Sequence, residues 1–277
     1  MNLDNLYPFA GDHAIQSAVF ALEWASTPLQ AGLTVEQLSE IRDAAKALTA
    51  DFPISEDMQL MALQVPMGGF HGQSFQLHPQ EFGGFTMTKP STMTRQASRT
   101  IMVNRESCIV QINDYSRWDK VKADLDEYLA ILLPAIGKYK PIAVIGLQFN
   151  DVFSWKADPA DLDLKSVFRP GTRWLPAHVF ETSHLWHSHH GYIEDHQLPI
   201  PYQQLDNVNV SRVMTDGVHA LQVLISQRAQ LVAPKWFKDA YSADSAISEI
   251  YGKLHDGNKA IMKALLTDEV LAKIKMV

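Results

Sequence analysis

Five of the eleven histidines fall in one stretch, His184-Leu185-Trp186-His187-Ser188-His189-His190-Gly191-Tyr192-Ile193-Glu194-Asp195-His196. Imidazole is a common metal ligand, and zinc needs three or four donors converging on one point. On a helix, His184 and His187 would share a face, as would His187 and His190. On a strand, His187 and His189 would point one way and His184, His190 and His196 the other. Neither arrangement gathers three adjacent ligands, so His184, His187, His190 and His196 are metal candidates only with help from elsewhere in the chain. The His-Glu-x-x-His order of zinc proteases is also missing. A second reading is a recognition surface: Trp186, His187, His189, His190 and Tyr192 combine apolar area with polar handles, as interface cores do. Imidazoles near neutrality would make that surface respond to pH. The plainest reading is a surface strand whose histidines hydrogen-bond locally.

Other reactive groups are isolated. Cys108 is the single cysteine and lies in Arg105-Glu106-Ser107-Cys108-Ile109-Val110, which reads as a strand with a buried thiol. One thiol makes neither an internal disulfide nor a thiolate metal cluster. Asp158, Asp161 and Asp163 lack the glycine and terminal glutamate of a calcium loop and read as a solvated face. His255 and Asp256 are adjacent on a helical pattern, so their side chains diverge. No Gly-x-Ser-x-Gly elbow occurs. Gly68, Gly69, Gly72, Gly83 and Gly84, interleaved with Phe70, Phe75, Phe82 and Phe85, suggest turns between short strands. They do not lead from a strand into a helix, as a phosphate-binding loop must. No catalytic residue and no cofactor are therefore assigned.

The composition frames these candidates. With 46% hydrophobic and 20% charged residues the chain can bury a substantial core. The net charge of -7 argues against broad nucleic-acid binding, which needs many phosphate contacts from Lys and Arg. Met1 to Leu6 carries an acidic residue and no basic region, unlike a secretory leader. No apolar run reaches the roughly twenty residues of a membrane span. A cytoplasmic protein is expected.

The elements that must position these groups alternate between strand and helix. Ser17 to Ala25 reads as a buried strand. Thr34 and Gln37 have capping-box spacing, and Leu38, Ile41, Ala45 and Leu48 follow on one helix face. Phe52-Pro53 ends that unit. Thr100–Val103 and Cys108–Asn113 form a hairpin candidate. Ser116 is expected to cap a helix buried through Trp118, Val121, Leu125, Tyr128 and Leu132, with Pro134 and Gly137 bending or ending it. Ile142 to Trp155 resumes a strand. Tyr202–Val213 and Val218–Val232 flank the Thr215-Asp216-Gly217 turn. A last helix, about Ala243 to Leu266, is apolar through Ile247, Ile250, Leu254, Ile261 and Leu265, with Gly257 as a costly interior residue. The expected fold class is α+β in two similar halves, each an antiparallel sheet packed by a long helix: residues 1–139 and 140–277.

Four segments together carry a resemblance: Ser17-Ala-Val-Phe-Ala-Leu-Glu23, Phe85-Thr-Met87 with Tyr115-Ser-Arg-Trp118, Ile145-Gly-Leu-Gln-Phe-Asn-Asp-Val-Phe153, and Leu254-His-Asp-Gly-Asn-Lys259. Their order resembles a sporadically distributed bacterial protein family of about this length. The resemblance covers most of the chain and brings no catalytic residues with it. Patchy distribution of this kind accompanies anti-phage defence and toxin-antitoxin loci. The resemblance thus implies a non-catalytic protein-binding component with a partner encoded nearby, and leaves self-association open. The alternative is a metal- or ligand-dependent enzyme or sensor using the His184–His196 segment.

Overall fold

The computed structural model describes residues 3–25, 32–60, 81–92, 96–215, 217–237, 241–242 and 245–276. Its first elements are β1 (Leu6–Pro8), β2 (Ile15–Trp24), α1 (Val35–Ala45), β3 (Ile54–Leu60), β4 (Glu81–Pro90), β5 (Ala97–Asn104), β6 (Ser107–Ile112) and α2 (Trp118–Gly137). There follow β7 (Ile142–Trp155), α3 (Leu164–Val167), β8 (Trp186–His196), β9 (Tyr202–Thr215), β10 (Val218–Lys235), α4 (Ala246–Leu265) and α5 (Asp268–Lys273).

The ten strands among the described residues join one antiparallel sheet in the order β3-β4-β5-β6-β2-β7-β10-β9-β8, with β1 on the end of β7. This corrects the expected layout of two similar halves, each with its own sheet and helix. The physical reason is the pairing of β2 with β7, which runs from Ile15 opposite Asp151 to Trp24 opposite Ile142. Two strands paired along that length share a ladder, so the sheet continues across them. The core crosses the same line: one apolar cluster holds Phe20 and Leu22 together with Ile145, Leu147, Ile250 and Leu254. The boundary expected after residue 139 falls just before a central strand.

Among the described residues the helices pack on one face of the sheet. On β7 the odd positions Ile145, Leu147, Phe149 and Phe153 are buried under them, while the even positions from Gln148 to Ser154 are only half-buried. β2 places Ala18, Phe20 and Leu22 on the helix side, and β10 does the same with Leu221, Val223 and Ile225. The period of two is the strand's own.

Local signals account for most helix ends. Thr34 and Gln37 form a reciprocal capping box at α1, each side chain bonding the other's backbone. Leu38, Ile41 and Ala45 are buried on its inner face. At α2 the cap position is Arg117 rather than Ser116, and no side chain caps it. Pro134 sits inside α2 without ending it, and the helix runs on to Gly137. Gly84 lies within β4 rather than at a turn. It has φ +148°, and a Cβ there would meet the Val103 carbonyl oxygen at 2.2 Å. Glycine is what lets β4 approach β5 at that point. Gly68, Gly69, Phe70, Gly72, Phe75 and Asp216 lie outside the described residues.

One buried charge ties the sheet to α2. Arg99 on β5, its side chain 8% exposed, donates to Asp114 at 2.9 Å and Asp124 at 2.6 Å. It also donates to the Tyr128 hydroxyl at 2.7 Å. Removing a buried cation strands its partners, a loss of about 3 kcal/mol in comparable pairs. Arg99→Met should therefore lose about 3 kcal/mol in urea unfolding at neutral pH, and a loss under ~1 kcal/mol would mean the trio is solvent-screened.

Candidate functional site

The histidine-rich segment is strand β8, at the edge of the sheet and paired only with β9. Its alternation divides the candidates. His187 and His189 are exposed on the helix-free face, with Ile193 beside them. The His189 ring meets the side chain of Asn209 across the strand pair. Trp186, His190, Tyr192 and His196 turn to the opposite face and pack there. The His190 ring lies edge-on to Trp174 at 5.5 Å, and His196 stacks on Tyr202 at 4.8 Å. Trp186 meets Phe168 at 6.4 Å. His184 precedes the strand and is exposed. The strand thus separates His187 and His189 from His190 and His196. Among the described residues, no three His, Cys, Asp or Glu side chains are grouped to hold a metal ion.

Tyr192 and His196 contribute to a cleft of about 400 Å³ between β8 and α4. Beneath it Asp206, 1% exposed, accepts from Gln204 Nε2 at 2.9 Å and Gln227 Nε2 at 2.6 Å. Tyr192 hydrogen-bonds the same carboxylate, and burial together with Asp206 pushes its phenol up. Gly257 of α4 lies over this network. A Cβ there would come within 2.9 Å of Gln227 Nε2, so the interior glycine makes room for a buried amide. The carboxylate is satisfied by neighbouring amides, which is how a buried polar group is kept without a ligand.

A second cleft, of about 490 Å³, was not signalled by the histidine cluster. Tyr115 and Trp118 at the start of α2, Phe149 on β7, and His255 and Asn258 on α4 all line it. The lining residues come from separate parts of the chain, from Asp12 near its start to Met276 near its end. Trp118 and His255 are stacked in parallel, with ring centroids 3.9 Å apart. Burial and Lys259 hold the His255 imidazole down at about 4, so the ring is neutral at physiological pH. Its neighbour Asp256 is 3.8 Å away, too far for a hydrogen bond.

Two residues on from Phe149, β7 carries an unexpected residue. Asp151 follows Phe149 on the helix-facing side, opposite Ile15 of β2 and Val223 of β10. Phe149 belongs to one apolar cluster and Phe153 to the other, so Asp151 stands where the two meet. It is 2% exposed, and burial alone pushes its carboxyl up to about 7. The strand's alternation held the signal: Phe149, Asp151 and Phe153 share a parity. By contrast, the Cys108 thiol is buried and pushed up to about 12, so it is no nucleophile. Asp158 and Asp163 accept from the backbone of Ala160 and Lys165 and cap short turns.

The pH dependence of stability follows from Asp151. Its carboxyl ordinarily titrates near 3.8 and here near 7. The folded chain therefore holds this proton more tightly than the unfolded chain. Stability from this group is complete below the ordinary value and is lost as pH rises towards 7. At about 1.4 kcal/mol per pH unit the loss reaches at most ~4 kcal/mol. Asp151→Asn cannot ionise, so its stability relative to wild type should rise by about 2–4 kcal/mol between about pH 4 and pH 8 in urea unfolding. A constant difference across that range would show that Asp151 is solvated. Comparison of the chain with family profiles, curated proteins and solved structures finds no match.

Proposed function

We propose that the protein is a non-catalytic binding component that recognises a protein partner over the helix-free face of its sheet. The observation that carries this reading is the chemistry of that face. Along the regularly alternating stretches of β2, β7, β10 and β9 it presents amides, hydroxyls and aliphatic side chains. Gln148, Asn150, Asn207 and Ser226 alternate there with Val19, Leu205 and Leu224, and all are half-buried. Among the described residues of these stretches the charged ones are Glu23 and Arg228, which pair with each other at 2.6 Å. Gln16, Asn150 and Gln222 link β2, β7 and β10 through side-chain amides at 2.9 and 2.7 Å.

A surface with one basic residue, already paired, is poorly suited to a phosphate backbone. Neutral hydrogen-bonding groups mixed with apolar area suit another protein surface. β8 extends that face with His187, His189 and Ile193, the last 65% exposed. As an edge strand it also offers unpaired backbone groups to which a partner strand can add. The family resemblance suggests where the partner is encoded: next to this gene, in a defence or toxin-antitoxin setting.

Co-expression with the products of adjacent genes tests the proposal. One of them should co-purify with the native chain and be lost from an Ile193→Lys, Ser226→Lys variant whose melting temperature is unchanged. Retention of the partner by that variant, or no complex with any neighbouring product, contradicts it.

A further inference from the structure

The second cleft is built from five separate parts of the chain and contains polar atoms that the protein leaves unused. Asn258 on α4 is 5% exposed, and its Nδ2 is buried with no hydrogen-bond partner. The Nε2 of His13 lies 3.1 Å from the Tyr115 carbonyl oxygen and donates to it, since a carbonyl only accepts. Burial holds the His13 ring down, so it is neutral and its Nδ1 is left as an acceptor. That Nδ1 is also buried without a partner. A donor and an acceptor withheld from water and from the protein cost free energy unless something else meets both.

The walls of the cleft are largely aromatic. Trp118 stacks on the neutral His255 ring, and Phe149 stands edge-on to Trp118 at 6.4 Å and to Tyr115 at 5.8 Å. The rim is cationic. Arg117, Lys259, Lys263 and Lys275 line it against Asp12, Asp119 and Asp256, in a chain whose net charge is -7. Lys275 is taken up by Asp12 at 3.3 Å. Lys259 and Lys263 are one turn apart on α4 and form no ion pair among the described residues.

These features order a ligand from the inside out. Its inner end must offer an acceptor to Asn258 and a donor to His13, and a neutral hydroxyl carries both. Its body must be flat and apolar to fit among the aromatic side chains of Tyr115, Trp118 and Phe149 that line the cleft. Its outer end must be anionic to meet Lys259 and Lys263. We propose that this cleft binds a small aromatic hydroxycarboxylate, hydroxyl inward and carboxylate at the lysine rim. The site is independent of the helix-free sheet face, because its lining comes from the helix side.

Calorimetric titration of the full chain with 4-hydroxybenzoate tests this, with 4-hydroxybenzyl alcohol and benzoate as the probes lacking one group each. Wild-type protein should bind 4-hydroxybenzoate saturably, at one site, and quench Trp118 fluorescence. Each control should bind at least ~10-fold more weakly, the factor expected for one lost polar contact. Lys259 and Lys263 are exposed, so Lys259→Glu with Lys263→Glu should keep the melting temperature while weakening 4-hydroxybenzoate by at least ~10-fold. Absence of saturable binding to the wild-type chain overturns the proposal. Equal binding by the double variant, or equal binding of all three probes, overturns it as well.

Discussion

The antiparallel ladder between β2 and β7 is the constraint on which the rest of this structure depends. It joins the meander β3–β6 to the meander β8–β10, and it fixes which residues of each lie under the helices. Ala18 sits opposite Phe149 and Phe20 opposite Leu147, so the two central strands bury one continuous apolar strip. At Ala21 and Gly146 the pair is tight: a Cβ on Gly146 would lie 3.3 Å from that of Ala21. Slipping this register by one residue would turn every one of these side chains to the opposite face.

That seam also decides where polar groups can be afforded. One apolar cluster fills the space under α1, α2 and the first half of α4, and the other lies under the second half of α4 with α3 and α5. Between them the helix-facing side carries Asp151 and Asn258 instead of further apolar residues. A junction of two cores is a place where packing is already interrupted, so unpaired polar atoms and a cleft are less disruptive there than inside either cluster. The other cleft mixes paired and unpaired groups, since His196 Nε2, Tyr202 Oη and Gln227 Oε1 are buried there without a partner. Asp206 is met by Gln204 and Gln227, and the side chains of β8 that face it are engaged in ring contacts. The helix-free face needs none of this, since its side chains remain partly in water.

Individual elements were legible in the sequence, and their assembly was not. The run Ile142–Trp155, the Thr34 capping box and the apolar stripe of α4 each express a local rule, and each element forms where its rule places it. The pairing of β2 with β7 joins residues more than a hundred positions apart, and both strands present similar apolar faces to any neighbour. Nothing local distinguishes one shared sheet from two separate ones. The histidine cluster drew attention by composition, but a strand divides its members between two faces. Of the residues of the second cleft, Trp118 was legible as part of the buried stripe of a helix. Trp118 is partly that, packing on Phe20 at 6.1 Å as well as on His255. Asp151 was legible only through strand parity, which requires knowing which face of β7 is covered.

Native-state hydrogen exchange resolved to single amides tests the central seam most directly. If β2 and β7 hold one sheet together, the amides of Ala18 to Leu22 and Ile145 to Phe149 should exchange only through global unfolding, with a common free energy and a common denaturant dependence. Exchange of one strand through a separate opening, with its own lower free energy and smaller denaturant slope, would show two independently stable units and contradict the account.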